Sequence, residues 1–155
     1  MTRYKPNHII LESIGASACT FALLYLLFLW GDLPDKIPTH FNALGQADKW
    51  GSKPELLILP AVQLVLSAFL TIVQSKPQWW NLPHVENEVT QERIESMGLA
   101  MILFAKSVIM IDFSYLLYCS VNGASSALGV LLLLFVILIP TLLVMVVRIV
   151  RLSLE

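Results

Sequence analysis

Two groups of residues in this 155-residue chain are of types that do chemistry. The first lies in the polar stretch 32–55, D-L-P-D-K-I-P-T-H-F-N-A-L-G-Q-A-D-K-W-G-S-K-P-E, where His40 and Asp48 are eight residues apart and Asp32 and Asp35 are near. An imidazole and a carboxylate in one loop could hold a divalent metal. A catalytic metal site takes about three protein ligands, which here would be His40 plus carboxylates. The stretch has no H-E-x-x-H, no C-x-x-C and no second histidine, since His8 and His84 belong to other segments. Thr39 beside His40 is an adjacency in sequence, not a nucleophile–base geometry. No cofactor is therefore expected, with a divalent metal at His40 and Asp48 as the alternative. The second group is Glu12, Lys106 and Asp112, ionisable residues set in otherwise apolar runs.

The elements that must position them follow from composition. Hydrophobic residues make up 57% of the chain and charged ones 14%, against roughly 45–50% and about 25% in soluble proteins. Four apolar segments, at 9–30, 56–73, 97–121 and 127–147, reach or approach the ~20 residues needed to cross a bilayer as a helix. A β-barrel would need short alternating segments instead. The chain reads as all-α, a single four-helix transmembrane domain over residues 1–155, with the polar stretch as an ordered loop between helices 1 and 2. Its bilayer is the first partner, and a net charge of −1 gives no support to nucleic-acid binding. The first segment is not read as a cleaved signal, because Glu12 interrupts it and the apolar run continues from Phe21 to Trp30. Cys19 and Cys119 lie in apolar surroundings and read as small buried residues.

Lys106 and Asp112 each lie about 4.5 Å along the axis from residue 109, the middle of the third segment. An ionisable group that deep costs on the order of 2.5–3.5 kcal/mol on insertion scales, so it belongs in the bundle interior or a wet cavity. Six residues separate the two, which places them about 120° apart on the helix and off the spacings at which side chains meet. Each should find a partner on another element: Glu12 for Lys106, and a loop or helix-end donor for Asp112. Both could serve as structural glue or as a polar pathway.

Within the polar stretch, Pro34 and Pro38 push Leu33 and Ile37 toward extended backbone. Gly45 and Gly51 offer positions for φ > 0. Ser52-Lys53-Pro54-Glu55 matches a capping box that opens helix 2. Asp35, Lys36, Asp48 and Lys53 can pair locally, while Ile37, Phe41, Leu44 and Trp50 pack the loop on the helix ends. That arrangement makes a rigid cap and a binding surface without catalysis. The run L-P-D-K-I-P-T-H-F-N-A-L-G-Q-A-D-K-W-G-S-K also resembles the signature of small bacterial integral membrane proteins of unknown function, a domain that forms the N-terminal half of SdpI-type toxin-immunity and signalling proteins. The resemblance rests on Leu33-Pro34, Pro38, His40-Phe41, Gly45, Asp48, Gly51 and Lys53, with Asn42 in the same loop. Asn81-Leu82-Pro83 and the charged stretch after it resemble the family's second connection. The chain is too short for the six-helix SdpI arrangement. The resemblance implies a bacterial plasma-membrane protein whose loop recognises a ligand, with a peptide toxin or a regulatory or transporter protein as partner. Two alternatives from other classes are a membrane-embedded metal-dependent enzyme and an accessory subunit or small transporter using Lys106 and Asp112.

Lysine and arginine set an expected orientation. With the N-terminus inside, Arg3, Lys5, Lys76, Arg93, Arg148 and Arg151 are cytoplasmic, whereas the outer side holds Lys36, Lys49 and Lys53. The bias favours N-in, C-in and an extracytoplasmic loop. Trp30 and Trp50 then belong to the outer aromatic belt, and Trp79 and Trp80 to the inner one. Cysteines placed at Ala43 and Gln46 are expected to react with a membrane-impermeant thiol reagent on intact cells, while one at Gln78 stays unlabelled. Labelling at Gln78 alone reverses the orientation.

Overall fold

A computed structural model describes residues 5–42, 44–123 and 136–154 of the chain. Four helices in it are long and apolar enough to cross a membrane, and the chain is a multi-pass, mostly helical membrane protein. Helix α1, Pro6–Leu29, starts three residues before the expected span, with proline in its first turn where a missing N–H costs nothing. Strands β1, Lys36–Phe41, and β2, Ala47–Ser52, follow as an antiparallel pair. The polar stretch is thus a β-hairpin, a feature that the helix-length argument did not anticipate.

The Ser52–Glu55 capping box is present: Glu55 Oε1 accepts from the Ser52 backbone N–H at 2.7 Å and its hydroxyl at 2.9 Å. It opens a 3-10 turn, Lys53–Leu57, which becomes helix α2 at Ile58–Gln74. Pro60 falls just after that change, in the first turn of the helix, where its missing N–H breaks no bond within the helix. Trp80 Nε1 donates to the Val73 carbonyl at 2.7 Å and folds the next connection back on the end of α2.

Helix α3, Glu88–Asn122, is longer than the expected 97–121 because the charged stretch before the apolar run continues the same helix. Asn87 caps it by accepting from Val89 N and Thr90 N, and Gly123 ends it at φ 61°. Its 35 residues span about 52 Å, well beyond a ~30 Å hydrocarbon core. Helix α4 is Ile139–Ser153. A π turn at 136–138 precedes Pro140, a wide turn that relieves the clash and the lost N–H of a proline. The expected start of this span at 127 lies outside the described residues. Its end lies beyond the expected 147: Arg148 and Arg151 are within the helix, which runs on to Ser153.

Lipid supplies little hydrophobic drive for helices to associate, so small residues and interhelical hydrogen bonds do this work. Helix α3 packs on α1, α2 and α4 and carries buried Ser96, Lys106, Ser107, Asp112, Ser114 and Ser120. Helices α1 and α3 run parallel, as their contacts show. His8 Nε2 lies 3.1 Å from the Ser96 carbonyl, Ser107 donates to the Leu11 carbonyl at 2.6 Å, and Ser114 donates to the Ala18 carbonyl at 2.9 Å. Asn122 Nδ2 then meets the Tyr25 hydroxyl at 2.7 Å. Gly15 faces Ser107, and a Cβ there would sit 3.6 Å from its Cα, an ordinary packing contact.

Lys106 is the knot of this interior. Its ammonium donates to Glu12 Oε1 at 2.6 Å and to Thr71 Oγ1 at 2.8 Å, so one side chain of α3 joins α1 and α2. The Glu12–Lys106 partnership expected from depth is present. Asp112 differs from expectation. It is buried, and neither carboxyl oxygen has a hydrogen-bond partner among the described residues, so the expected loop or helix-end donor is absent there. It lies about 140° around α3 from Ser107, away from the face that meets α1.

Breaking a buried ion pair by removing one partner leaves the other uncompensated. Lys106→Met and Glu12→Gln are each expected to lower the stability of the fold in detergent, by on the order of 3 kcal/mol for the lysine-stranding variant. The double variant should lose less than the sum of the singles, and simple additivity would show the two groups to be uncoupled.

Candidate functional site

The hairpin that joins α1 to α2 is built from both ends toward its centre. At its base, Leu33, Ile37 and Leu56 are buried with Ala22 and Leu26 of α1 and Leu117 of α3, flanked by Trp30, Leu59 and Val121. The Lys53 ammonium sits 5.0 Å from the Trp30 ring centroid, a cation–π contact that ties the hairpin exit to the end of α1. At its tip, Asn42 Oδ1 accepts from Leu44 N at 2.9 Å and Gln46 N at 3.0 Å, while Gly45 N donates to the Asn42 carbonyl. Gly45 takes φ 77°, as its place in the turn requires. Asn42 is therefore the residue that closes the turn.

Gly51 departs from expectation. It has no positive φ and lies in β2 opposite Ile37. What excludes a side chain is space: a Cβ there would run into the Glu55 carboxylate and come within 2.6 Å of Thr39 Cγ2. Pro38 is buried opposite Trp50, Phe41 is half-buried opposite Ala47, and Pro34 is exposed before β1. Leu44 and Trp50 do not pack the hairpin on the helix ends: they are 78% and 60% exposed. The helix ends are already covered by Leu33, Ile37 and Leu56, which leaves those two large side chains without a seat.

Register carries His40 and Asp48 to one another. The ladder pairs Pro38 with Trp50, His40 with Lys49 and Phe41 with Ala47, so Thr39 on one strand and Asp48 on the other are extra residues whose shifts cancel. Paired irregularities of this kind re-aim side chains. His40 Nδ1 and Asp48 Oδ1 are 2.5 Å apart, with both side chains about half exposed. A carboxylate only accepts, so Nδ1 carries the proton and Nε2 points elsewhere. Such a pair can orient a ring for binding, for proton transfer or as one ligand of a metal. Among the described residues no group of three or more His, Cys, Asp or Glu is placed to hold a metal ion. The local ion pairing expected of Asp35, Lys36 and Lys53 is replaced by a backbone bond from Lys53 N to the Asp35 carbonyl at 3.1 Å and by the Lys53–Trp30 contact.

The intramembrane group is larger than Glu12, Lys106 and Asp112. Gln63 is buried and donates to the Met110 carbonyl at 2.9 Å and to Ser114 Oγ at 3.0 Å. Gln63, Ser67, Thr71 and Gln74 recur on α2 at steps of four, four and three. That spacing marks one helix face and was a signal open to sequence reasoning. His8, also buried, accepts from Lys5 N at 3.2 Å through Nδ1, which leaves Nε2–H to donate to Ser96.

Residues 18–64 match the model of a family described as a domain of unknown function, DUF1648. The match runs from the middle of α1 through the hairpin to the first turns of α2, so the hairpin and its anchors form its centre. An uncharacterised protein of Archaeoglobus fulgidus is 29% identical over 136 residues, covering 76% of this chain and 74% of that protein. No solved structure matches the chain.

The turn and the pair should separate by measurement. Gly45→Val is expected to cost about 1–2 kcal/mol through its left-handed backbone, and Asn42→Ala about 1–2 kcal/mol through two stranded N–H groups. Both should lower the melting temperature in detergent. His40→Ala, at an exposed position, should leave it within about a degree or two.

Proposed function

We propose that the hairpin is a recognition surface on the extracytoplasmic side of a bacterial plasma membrane, in an SdpI-like toxin-immunity or signal-receiving role. The observation that carries the reading is the division of labour within the hairpin. Leu33, Ile37 and Leu56 anchor it, and Asn42 and Gly45 close it, while Trp50, Leu44 and the His40–Asp48 pair take no part in its packing. A rigid scaffold that presents an exposed tryptophan beside a polar pair has the makings of a binding hot spot at low ordering cost. The orientation rests on the bias of lysine and arginine.

Recognition of a peptide toxin predicts a phenotype. Cells challenged with the peptide that SdpI-type proteins neutralise should survive better when they express this chain. His40→Ala, Asp48→Ala and Trp50→Ala should each return survival to that of cells without it, at membrane levels near wild type. No protection by the wild-type chain would end the immunity reading. Protection that persists in all three variants would reduce the hairpin to a structural connector.

A second reading, a small transporter or accessory subunit, is favoured by one observation: the buried Asp112 carboxyl without a partner among the described residues. Intramembrane carboxyls of this kind mark ion or substrate paths. Asp112→Asn would abolish a transport activity and leave hairpin-dependent protection intact.

A further inference from the structure

Two concavities differ in what they could hold. A groove of about 710 Å³ between α1 and α3 is walled by side chains such as Ile10, Ile14, Phe21 and Tyr118. It is almost wholly apolar and offers little to orient a polar group, as suits a surface in contact with acyl chains. The second, about 370 Å³, lies beneath the hairpin and falls in the size range of about 300–1,000 Å³ usual for small-ligand sites. Its floor is apolar, made by Ile37, Leu56 and Leu59. Its rim carries Thr39, His40, Lys49 and Glu55.

Depth and charge together narrow the occupant. The cavity also touches Ser120, near the end of the apolar run of α3, and Leu56, where that of α2 begins. It therefore sits where hydrocarbon gives way to headgroups. The Lys49 ammonium makes no ion pair or hydrogen bond with the described residues. Glu55 receives both Ser52 bonds at Oε1, which leaves Oε2 without a donor from them. His40 is held by Asp48 through Nδ1, with its other ring nitrogen uncommitted. One free cation and one carboxylate with spare acceptor capacity thus share a rim above an apolar floor. A purely anionic headgroup would neutralise Lys49 and be repelled by Glu55. A molecule bearing both a phosphate and a primary ammonium satisfies both, and each contact is a charge-assisted hydrogen bond.

We propose that the cavity under the hairpin binds the headgroup of a zwitterionic phospholipid, phosphate on Lys49 and Thr39, ammonium on Glu55, with the glycerol and first acyl carbons on Ile37, Leu56 and Leu59. A bound lipid would fill the space between hairpin and helix ends and brace the recognition surface from below. The inference shares His40 with the recognition face but rests on Lys49, Glu55 and the apolar floor, which that reading does not use.

The test is native mass spectrometry of the full chain released from detergent containing equal amounts of phosphatidylethanolamine and phosphatidylglycerol. One phosphatidylethanolamine should be retained in preference. Lys49→Glu should weaken that retention by about tenfold or more, the effect of losing a charge-assisted hydrogen bond. Lys36→Glu makes the same charge change on the hairpin away from the cavity and should leave retention unchanged. Leu59→Trp, which fills the floor, should also abolish the preference. Equal retention of the two lipids by the wild-type chain would overturn the proposal. So would equal losses in Lys36→Glu and Lys49→Glu, or copurification of a peptide in the cavity in place of lipid. Survival under toxin challenge is a separate readout, so failure of one proposal leaves the other measurable.

Discussion

The ammonium of Lys106 is the constraint around which the membrane-embedded part is arranged. A charge buried at that depth persists only if it is paired and hydrogen-bonded. Glu12 and Thr71 supply that pairing from two different helices, at 2.6 and 2.8 Å. Satisfying one side chain thus fixes the rotation and the axial offset of α1 and α2 relative to α3. Neighbouring bonds repeat the arrangement in the same turn and up to about two turns away: Ser107 on the Leu11 carbonyl, Ser114 on the Ala18 carbonyl, Gln63 on Met110 and Ser114. In a solvent as apolar as the side chains themselves, this ladder of polar contacts is what selects one packing over others.

The hairpin depends on the same geometry. Its anchors reach α1 at Ala22 and Leu26 and α3 at Leu117, so the floor exists only when those two helices are parallel and close. The Ser107–Leu11 bond holds that approach lower down, and the Tyr25–Asn122 contact holds it at the hairpin end. The Ser52–Glu55 box and the Lys53–Trp30 contact then fix how the chain leaves the hairpin and enters α2. What is left over after anchoring is a face carrying His40, Asp48, Leu44 and Trp50 above, and a mixed-charge cavity below.

Helical and strand order therefore divide the chemistry. The helices consume most of their buried polar groups internally, with both Asp112 carboxyl oxygens and Glu12 Oε2 left without a hydrogen bond among the described residues. The hairpin consumes apolar groups to hold itself in place and leaves polar and aromatic groups outward. A surface of that kind suits recognition, because little conformational entropy remains to be lost on binding.

Much of this was legible from residue order. Four apolar runs announced four spans by length, and Ser-Lys-Pro-Glu announced the start of the second. The depth of Lys106 announced a partner, and Glu12 was the one acidic residue at a matching depth in the first helix. Proline spacing announced extended backbone over 33–38, and Gly45 a turn. These signals are local, or follow from the cost of a charge in hydrocarbon, so one dimension suffices to read them. Tertiary structure decided the rest. Strand pairing depends on a register that no single strand contains, so the hairpin, the meeting of His40 with Asp48 and the crowding that demands Gly51 became visible only in three dimensions. Thr71 as the second partner of Lys106, and the exposure of Trp50 and Leu44, likewise depend on which helix faces which. That choice is made by the sum of all contacts, and no stretch of sequence carries it alone.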